Sequence, residues 1–316
     1  MMKKRLFLII TLLAIILMIF LPYFIGAYLL HVLMTIFIYM SLALSWDMML
    51  RTGQLSFGVA GFFGVGSYAS IITCSRFGFN PLVSILFAGF FVALIALGLG
   101  FAVLKLRDIY FSITTLAITM VFSVIIRNMP RLTGGASGKV IPNVIFNGDS
   151  TKTYWLILSL ALITILISEI FNRTKIHFAI NSIRNDEIIA RSSGINILGY
   201  LLFVFIISSA LQGMAGAIYT QQYGFVSPET TFSLDFLLLP MAMALVGGIY
   251  STWGSVIGAV VLGFASEYLK LFMPYGHQII YGIMIVLIIL FLPKGIYGST
   301  KDRLVTYKIE KLSLSE

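Results

Sequence analysis

Charged residues are scarce in this sequence: Asp, Glu, Lys and Arg make up 10% of its 316 residues, against roughly 25% in an ordinary soluble domain. Hydrophobic residues make up 59% of the chain. This imbalance excludes a soluble globular enzyme and is typical of a polytopic membrane protein. Because one membrane span takes about 20 apolar residues, the chain has room for roughly ten spans and for little extramembrane structure.

Cysteine and the common catalytic motifs are also lacking. Cys74 is the single cysteine, which excludes a disulfide framework and a thiolate metal cluster. The sequence has no HExxH, CxxC or GxSxG motif. Residues 133–139 are glycine-rich and end in lysine, but a P-loop needs glycine where Thr133 stands and Ser or Thr where Val140 stands. We therefore expect no catalytic residue, no metal site and no ATP bound by this chain.

The apolar runs predict an all-α polytopic membrane protein with about ten transmembrane helices. It forms a single transmembrane domain, residues 1–316, with one long loop at residues 172–196. The N-terminal run is too long for a signal-peptide core and lacks a cleavage site, so it is interpreted as a retained span. The predicted spans are residues 6–25, 28–50, 55–75, 81–104, 109–126, 154–171, 198–219, 232–250, 254–272 and 278–292.

The basic residues indicate the orientation. Ten crossings place both termini on one side of the membrane. That side carries Lys3, Lys4, Arg5, Arg51, Lys105, Arg107, Arg173, Lys175, Arg184, Arg191, Lys294, Lys301, Arg303, Lys308 and Lys311. The other side carries Arg76, Arg127, Arg131, Lys139 and Lys152, with Lys270 near its edge. Cytoplasmic loops retain Lys and Arg, so both termini are expected in the cytoplasm. The net charge of +9 thus reflects topology and implies no nucleic-acid partner.

Four acidic residues lie within or near the ends of predicted spans: Asp47, Glu169, Asp235 and Glu267. An ionisable group inside a bilayer is costly and is a functional candidate by default. Three of the four have a basic residue three or four positions further on, namely Arg51, Arg173 and Lys270. This spacing favours local ion pairs on a helix, and a position along a substrate path is the alternative.

Glycines crowd the start of the third predicted span. Small residues let helices approach closely in lipid, and they also permit an interrupted helix whose backbone faces a cavity. We expect close packing for the individual glycines, while the segment as a whole borders the translocation path. The candidate path residues are Gln54, Ser56, Gly58, Gly61, Gly64, Gly66, Thr114 and Thr115. A second cluster, Gly247, Gly248, Gly254 and Gly258, contains a weakly specific GxxxG motif.

The loop at residues 172–196 predicts a short helix that cannot span a membrane. Asn185 or Ser182 is suited to cap it, with Asp186 and Glu187 in its first turn. Arg191 lies four positions after Glu187 and favours the C-terminal end, and Gly194 is the expected stop. The prediction is a helix of two to three turns. It is suited either to dock into a partner's groove or to lie on lipid as a connector.

Ordered along the chain, several short motifs resemble those of the permease subunits of branched-chain amino acid ABC importers, within a wider group that also serves urea and sugars. Each motif is loose alone, but their joint order covers most of the chain. Gln212 departs from the family pattern, which favours a small residue there. The matching pieces are residues 53–58, 61–68, 110–116, 133–138, 183–190, 194–196 and 208–216, Pro228, and residues 247–254 and 293–295.

The resemblance implies that residues 184–194 form the coupling helix seated on an ATP-binding subunit. Glu187, Ala190 and Gly194 match the core of the family motif, and the coupling candidates are Arg184, Asn185, Asp186, Glu187, Ala190, Arg191 and Gly194. It implies a second, related permease, two ATP-binding subunits that use ATP and Mg, and an extracytoplasmic substrate-binding protein. It also implies a multi-pass location in the bacterial cytoplasmic (inner) membrane, in contact with lipid.

The function expected from the resemblance is inward movement of a small molecule, leucine, isoleucine or valine, by alternating access. A permease for urea or a sugar is the alternative within this group. An ion-coupled secondary transporter is less favoured, because the intramembrane acids have local partners and no inverted repeat is evident. A membrane-embedded enzyme is disfavoured by the missing catalytic motifs.

Overall fold

The computed structural model describes residues 16–141, 144–272, 282–283, 286 and 295–299. The fold is all-α, and a two-stranded ribbon is formed by β1 (Lys139–Val140) and β2 (Phe225–Val226). The principal helices of the described residues are α1 (Ala27–Leu50), α2 (Val59–Phe77), α3 (Pro81–Val103), α4 (Asp108–Arg127), α5 (Ser150–Arg173), α6 (Lys175–Asn185), α7 (Glu187–Ser192), α8 (Ile197–Tyr223), α9 (Asp235–Gly247) and α10 (Thr252–Phe272).

Among the residues that the structure describes, seven helical segments are long and apolar enough to cross a membrane: α1, α3, α4, α5, α8, α10, and α9 with the short helix before it. The chain is thus an all-α polytopic membrane protein. These segments and α2 coincide with eight of the predicted spans. Of the first predicted span, residues 16–20 are helical and a 3-10 turn follows at Leu21–Tyr23. The tenth predicted span lies outside the described residues except for residues 282–283 and 286.

The predicted start of the third span at Leu55 is wrong, because α2 begins at Val59. The chain from Gln54 to Gly58 is not helical. Helix α2 has 19 residues and is less apolar than the seven spans, yet its residues from Val59 to Ile71 are all buried. Its glycines and serines therefore face other helices, where polarity is tolerated better than at a lipid surface.

The core is organised around α8, which packs against α1, α2 and α3. A Cβ atom on Gly66 of α2 would overlap the backbone of Gly213 on α8, and one on Gly216 would overlap the carbonyl oxygen of Phe63. Across the same contact, Ser67 Oγ donates a hydrogen bond to the Gly216 carbonyl oxygen (2.9 Å). Glycine is thus required where α2 and α8 meet, since only it permits this approach of two backbones.

A second close contact joins α9 and α10. A Cβ atom on Gly258 would overlap the Met243 carbonyl oxygen, and one on Gly247 would overlap the backbone of Gly254. The weak GxxxG motif is therefore a packing motif.

The two ends of the bundle define two faces. The loop at residues 172–196 connects α5 to α8, and the face that carries it is called the loop face. Helix α4 begins beside this loop and has 20 residues, a length of about 30 Å at ~1.5 Å per residue. Arg127, at its far end, therefore lies on the opposite face. There, β1 and β2 pair antiparallel, with Lys139 opposite Val226, and tie the segment after α4 to the end of α8.

Candidate functional site

The loop at residues 172–196 contains two helices rather than the single one predicted. Helix α6 has 11 residues and α7 has 6, so α7 is shorter than the expected two to three turns. The break is at Asp186, whose backbone is extended (φ −160°, ψ 114°). The predicted cap at Asn185 or Ser182 is wrong. Asp186 caps α7, because its carboxylate accepts hydrogen bonds from the N–H groups of Ile188 (2.7 Å) and Ile189 (3.1 Å).

Gly194 ends α7 as predicted. Its φ is +79°, a left-handed conformation that favours glycine. The Ile195 N–H donates to the Ala190 carbonyl oxygen (3.1 Å), and the Gly194 N–H donates to that of Arg191 (3.0 Å). This pair of bonds is the Schellman arrangement that satisfies the last carbonyl groups of a helix. Both ends of α7 are thus fixed by its own sequence.

The spacing of Glu187 and Arg191 predicted an ion pair between them, but the structure does not form it. The Glu187 carboxylate instead forms an ion pair with Arg107 Nε (2.9 Å), and both side chains are about one-third exposed (35% and 34%). Arg107 is the residue before α4, so this ion pair joins α7 to that span. Sequence reasoning missed Arg107 as a site residue, because no local spacing relates two residues 80 positions apart.

Helix α7 exposes two large apolar side chains beside the exposed Arg191 and Ser192. Ile188 is 79% exposed and Ile189 is 64% exposed, whereas Ala190 is buried against the bundle. Sequence reasoning had not singled out the two isoleucines, although Ile-Ile beside a predicted cap was the available signal. Large exposed apolar side chains at the end of a membrane bundle mark a surface that a partner or lipid covers.

Arg184 connects α6 to the turn before α10. Its guanidinium lies over the Tyr250 ring, 4.1 Å from the ring centroid, a cation–π contact. Beside it is a cleft of about 260 Å³, called here the loop-face cleft, whose walls bring the predicted path residue Gln54 next to the predicted coupling residues. Its lining is Thr52, Gly53, Gln54, Arg107, Asp108, Ile183, Arg184, Asn185, Asp186 and Glu187.

The Asp47–Arg51 pair, predicted from its spacing, is confirmed and lies behind Tyr250. The two side chains are 0% and 2% exposed, and Arg51 Nη2 is 2.6 Å from Asp47 Oδ2. The other carboxylate oxygen accepts a hydrogen bond from the Tyr250 N–H (2.7 Å). Arg51 Nη1 donates to Asn172 Oδ1 (2.8 Å). The pair therefore joins α1, the end of α5 and the turn before α10.

Polar side chains form hydrogen bonds with the backbone N–H and carbonyl groups of the non-helical segment before α2. Thr115 Oγ1 accepts a hydrogen bond from the Phe57 N–H (2.9 Å), and Ser112 Oγ donates to the Leu55 carbonyl oxygen (2.7 Å). Trp46 Nε1 donates to the carbonyl oxygen of Ser56 (2.9 Å). Non-helical backbone at membrane depth is tolerated only when it is satisfied by protein or water. Ser112 and Thr115 on α4 thus allow the interruption.

The predicted path glycines lie in helix contacts. A Cβ atom on Gly61 would be 2.6 Å from Thr119 Oγ1, and one on Gly64 would be 2.5 Å from the Phe232 ring. Gly58 abuts Thr115, while Thr114 is partly buried. The expectation of close packing is therefore confirmed for Gly61, Gly64 and Gly66. That these residues border a translocation path stays a prediction.

On the opposite face, Lys139 and Asp149 have structural roles. Lys139 Nζ donates to the Leu132 carbonyl oxygen (3.1 Å), and burial, followed by the charge of Arg76, lowers the pKa of Lys139. Asp149 caps α5 by accepting hydrogen bonds from two backbone N–H groups. The bond from the Lys152 N–H is the largest cause that lowers the pKa of Asp149.

These features, a bundle of apolar helices with a self-capped helix on one face, define a polytopic membrane protein. Residues 28–289 match the family model of the branched-chain amino acid transport system permease component. The match covers most of the chain, and the chain belongs to this family. It is a family of transport permeases and not of enzymes.

Relatives of known name agree with this assignment. The chain is 27% identical over 282 residues to the high-affinity branched-chain amino acid transport system permease protein LivM of Escherichia coli, an alignment of 80% of this chain and 66% of LivM. It is 24% identical over 270 residues to LivH of Salmonella typhimurium (78% and 86%). It is 24% identical over 274 residues to a probable LivM of Methanocaldococcus jannaschii (78% and 79%). The chain thus aligns with slightly less than two thirds of the bacterial LivM. No solved structure matches it significantly.

Proposed function

We propose that this chain is the transmembrane permease subunit of an ABC importer and moves leucine, isoleucine and valine inward by alternating access. The observation that carries the proposal is the family match over residues 28–289. The names of the LivM and LivH relatives support the substrate class. The chain catalyses no covalent reaction and binds no cofactor in this proposal, because ATP and Mg are used by separate subunits.

The proposed assembly contains a second homologous permease, two ATP-binding subunits and an extracytoplasmic substrate-binding protein. Similarity of the one chain to both LivM and LivH supports a pair of related permeases. We place the chain in the bacterial cytoplasmic (inner) membrane with about ten spans and with the loop face in the cytoplasm. The apolar helices and the bias of basic residues support this placement.

Helix α7 is the proposed contact with an ATP-binding subunit. Ile188 and Ile189 are exposed for docking, while Asp186 and Gly194 hold the helix ends in place. The Glu187–Arg107 ion pair passes a displacement of α7 to α4. Arg184, over Tyr250, offers a second connection toward α10. Packed helices switch between discrete arrangements, so docking on this face is converted into gating of the bundle.

The substrate is tested by purifying the complex with its captured binding protein and identifying the bound ligand. Leucine, isoleucine or valine is the expected result, whereas a sugar or urea would overturn the substrate assignment. ATP-independent uptake by the permease alone under a proton or sodium gradient would overturn the ABC assignment in favour of a secondary transporter.

Coupling is tested with Glu187→Lys, which places a cation against Arg107, and with Gly194→Leu, which forces a bulky residue into φ +79°. Both variants are expected to insert normally and to lose uptake while the ATP-binding subunits still hydrolyse ATP. Glu169→Lys is the control, because Glu169 pairs with the exposed Arg173 of its own helix, α5. Normal uptake in both test variants would remove α7 from the mechanism.

A further inference from the structure

A cavity of about 290 Å³ opens on the opposite face, between α4 and the chain that follows β2. Its volume is close to the lower end, about 300 Å³, of pockets that hold small molecules. Leu116 and Met120 of α4 and Phe232 form apolar walls, and Thr119 adds a hydroxyl group. Arg127 and Glu229 place one positive and one negative charge on the same lining.

Within the part of the chain that the structure describes, neither charge forms an ion pair. Neither the Arg127 guanidinium nor the Glu229 carboxylate makes a hydrogen bond or ion pair with any described residue, although both line one cavity. By contrast, Asp47, Glu169 and Glu267 each form an ion pair with a basic residue three or four positions further on. Both side chains are exposed and line the same cavity, so a ligand that carries both charges can reach Arg127 and Glu229 together.

Two residues of the cavity lining, Phe232 and Thr119, pack closely against α2. The Phe232 ring fills the space that a side chain at position 64 would occupy, and Thr119 lies against Gly61. Phe232 also stacks on Tyr68, with ring centroids 6.3 Å apart and an interplanar angle of 20°. The glycines of α2 thus bring the cavity wall against the core.

We propose that this cavity binds a zwitterionic α-amino acid with an aliphatic side chain. The α-carboxylate lies against Arg127, the α-ammonium against Glu229, and the side chain against Leu116, Met120 and Phe232. Guanidinium–carboxylate contacts are among the strongest hydrogen bonds in proteins. A neutral sugar or urea would leave both charges uncompensated, so the site selects by charge as well as by size. The inference rests on the proposed transport function and assigns it a substrate site.

The test uses the assembled transporter in proteoliposomes and a leucine analogue with a diazirine in its side chain. Labelling mapped by mass spectrometry is expected on residues 116–124 or 232–234, and leucine in excess should suppress it. Arg127→Gln and Glu229→Gln should each lower labelling about tenfold, because a hydrogen bond to a charged group is worth about 1.5–3 kcal/mol. Arg131→Gln is the matched control, since Arg131 is a basic residue of the same face that does not line the cavity.

Competition with leucinol, which lacks the carboxylate, separates recognition from a structural effect. The wild type should prefer leucine strongly, and Arg127→Gln should lose that preference. If labelling maps elsewhere, or if Arg131→Gln lowers it as much as Arg127→Gln, while leucine uptake continues in the same vesicles, the site is rejected and the transport function stands. If the wild type shows no ATP-driven leucine uptake, the proposed function fails and this inference fails with it.

Discussion

Replacing the two exposed isoleucines of α7 tests docking of an ATP-binding subunit without a large effect on folding stability. Ile188 is 79% exposed and Ile189 is 64% exposed, so each loses most of its remaining accessible surface if an ATP-binding subunit covers α7. Fully burying an isoleucine side chain stabilises by about 1.5–3 kcal/mol, and these side chains are already partly covered. Ile188→Ser and Ile189→Ser should therefore each weaken docking by about 2 kcal/mol, roughly 30-fold in Kd.

The assay is titration of the ATP-binding subunits onto the permease pair in nanodiscs, with uptake measured in parallel proteoliposomes. The melting temperature should stay close to that of the wild type, because substitutions at exposed positions usually change stability by less than about 0.5 kcal/mol. Ile163→Ser serves as the control, since Ile163 is 45% exposed on the span α5. A Kd unchanged in the double variant would refute docking through this surface.

Three further changes test the structural argument. Asp47→Asn should lower the free energy of unfolding by about 3–5 kcal/mol, since it leaves the buried Arg51 charge uncompensated. Glu169→Gln, at the exposed pair with Arg173, should lower it by less than about 1 kcal/mol. Equal melting temperatures of the two variants would contradict this. Asp186→Ala removes the cap of α7 and should lower the stability of this helix by about 1 kcal/mol. Hydrogen exchange at the Ile188 and Ile189 amides, measured by mass spectrometry, should therefore become severalfold faster. Gly66→Leu should prevent packing of α2 against α8 and lower the yield of folded protein in size-exclusion chromatography. Gly98→Leu, with no atom within 4 Å of its Cβ position, should be recovered in normal yield. Equal yields of the two variants would refute the packing account.

Contacts set by helical periodicity were predictable from the sequence. Asp47–Arg51, Glu169–Arg173 and Glu267–Lys270 all form ion pairs, at 2.6 Å, 2.7 Å and 2.6 Å. Residues three or four apart lie on one helix face whatever the tertiary structure. The close packing of Gly61 and Gly66 was predictable because small residues in an apolar helix let neighbouring helices approach closely.

Contacts that depend on how helices are arranged were not predictable. Spacing favoured Glu187–Arg191, but Arg107 lies nearer because α4 begins beside α7. The predicted helix is longer than α7 because the chain breaks at Asp186, whose backbone is extended. A residue able to cap a helix is recognised from its type, but which of several neighbouring candidates does so depends on where the backbone turns.

Helix α4 is the element that relates the two faces. At one end, Arg107 pairs with Glu187 of α7, and at the other, Leu116 to Arg127 wall the cavity on the opposite face. Between these ends, Ser112 and Thr115 form hydrogen bonds with the non-helical backbone before α2. Hydrogen bonds thus connect α4 to that segment. A helix of 20 residues moves nearly as a rigid body, so a shift imposed at Arg107 must also move the cavity wall. Because that wall meets α2 at the close contact of Thr119 with Gly61, such a shift would also change the α2–α4 contact.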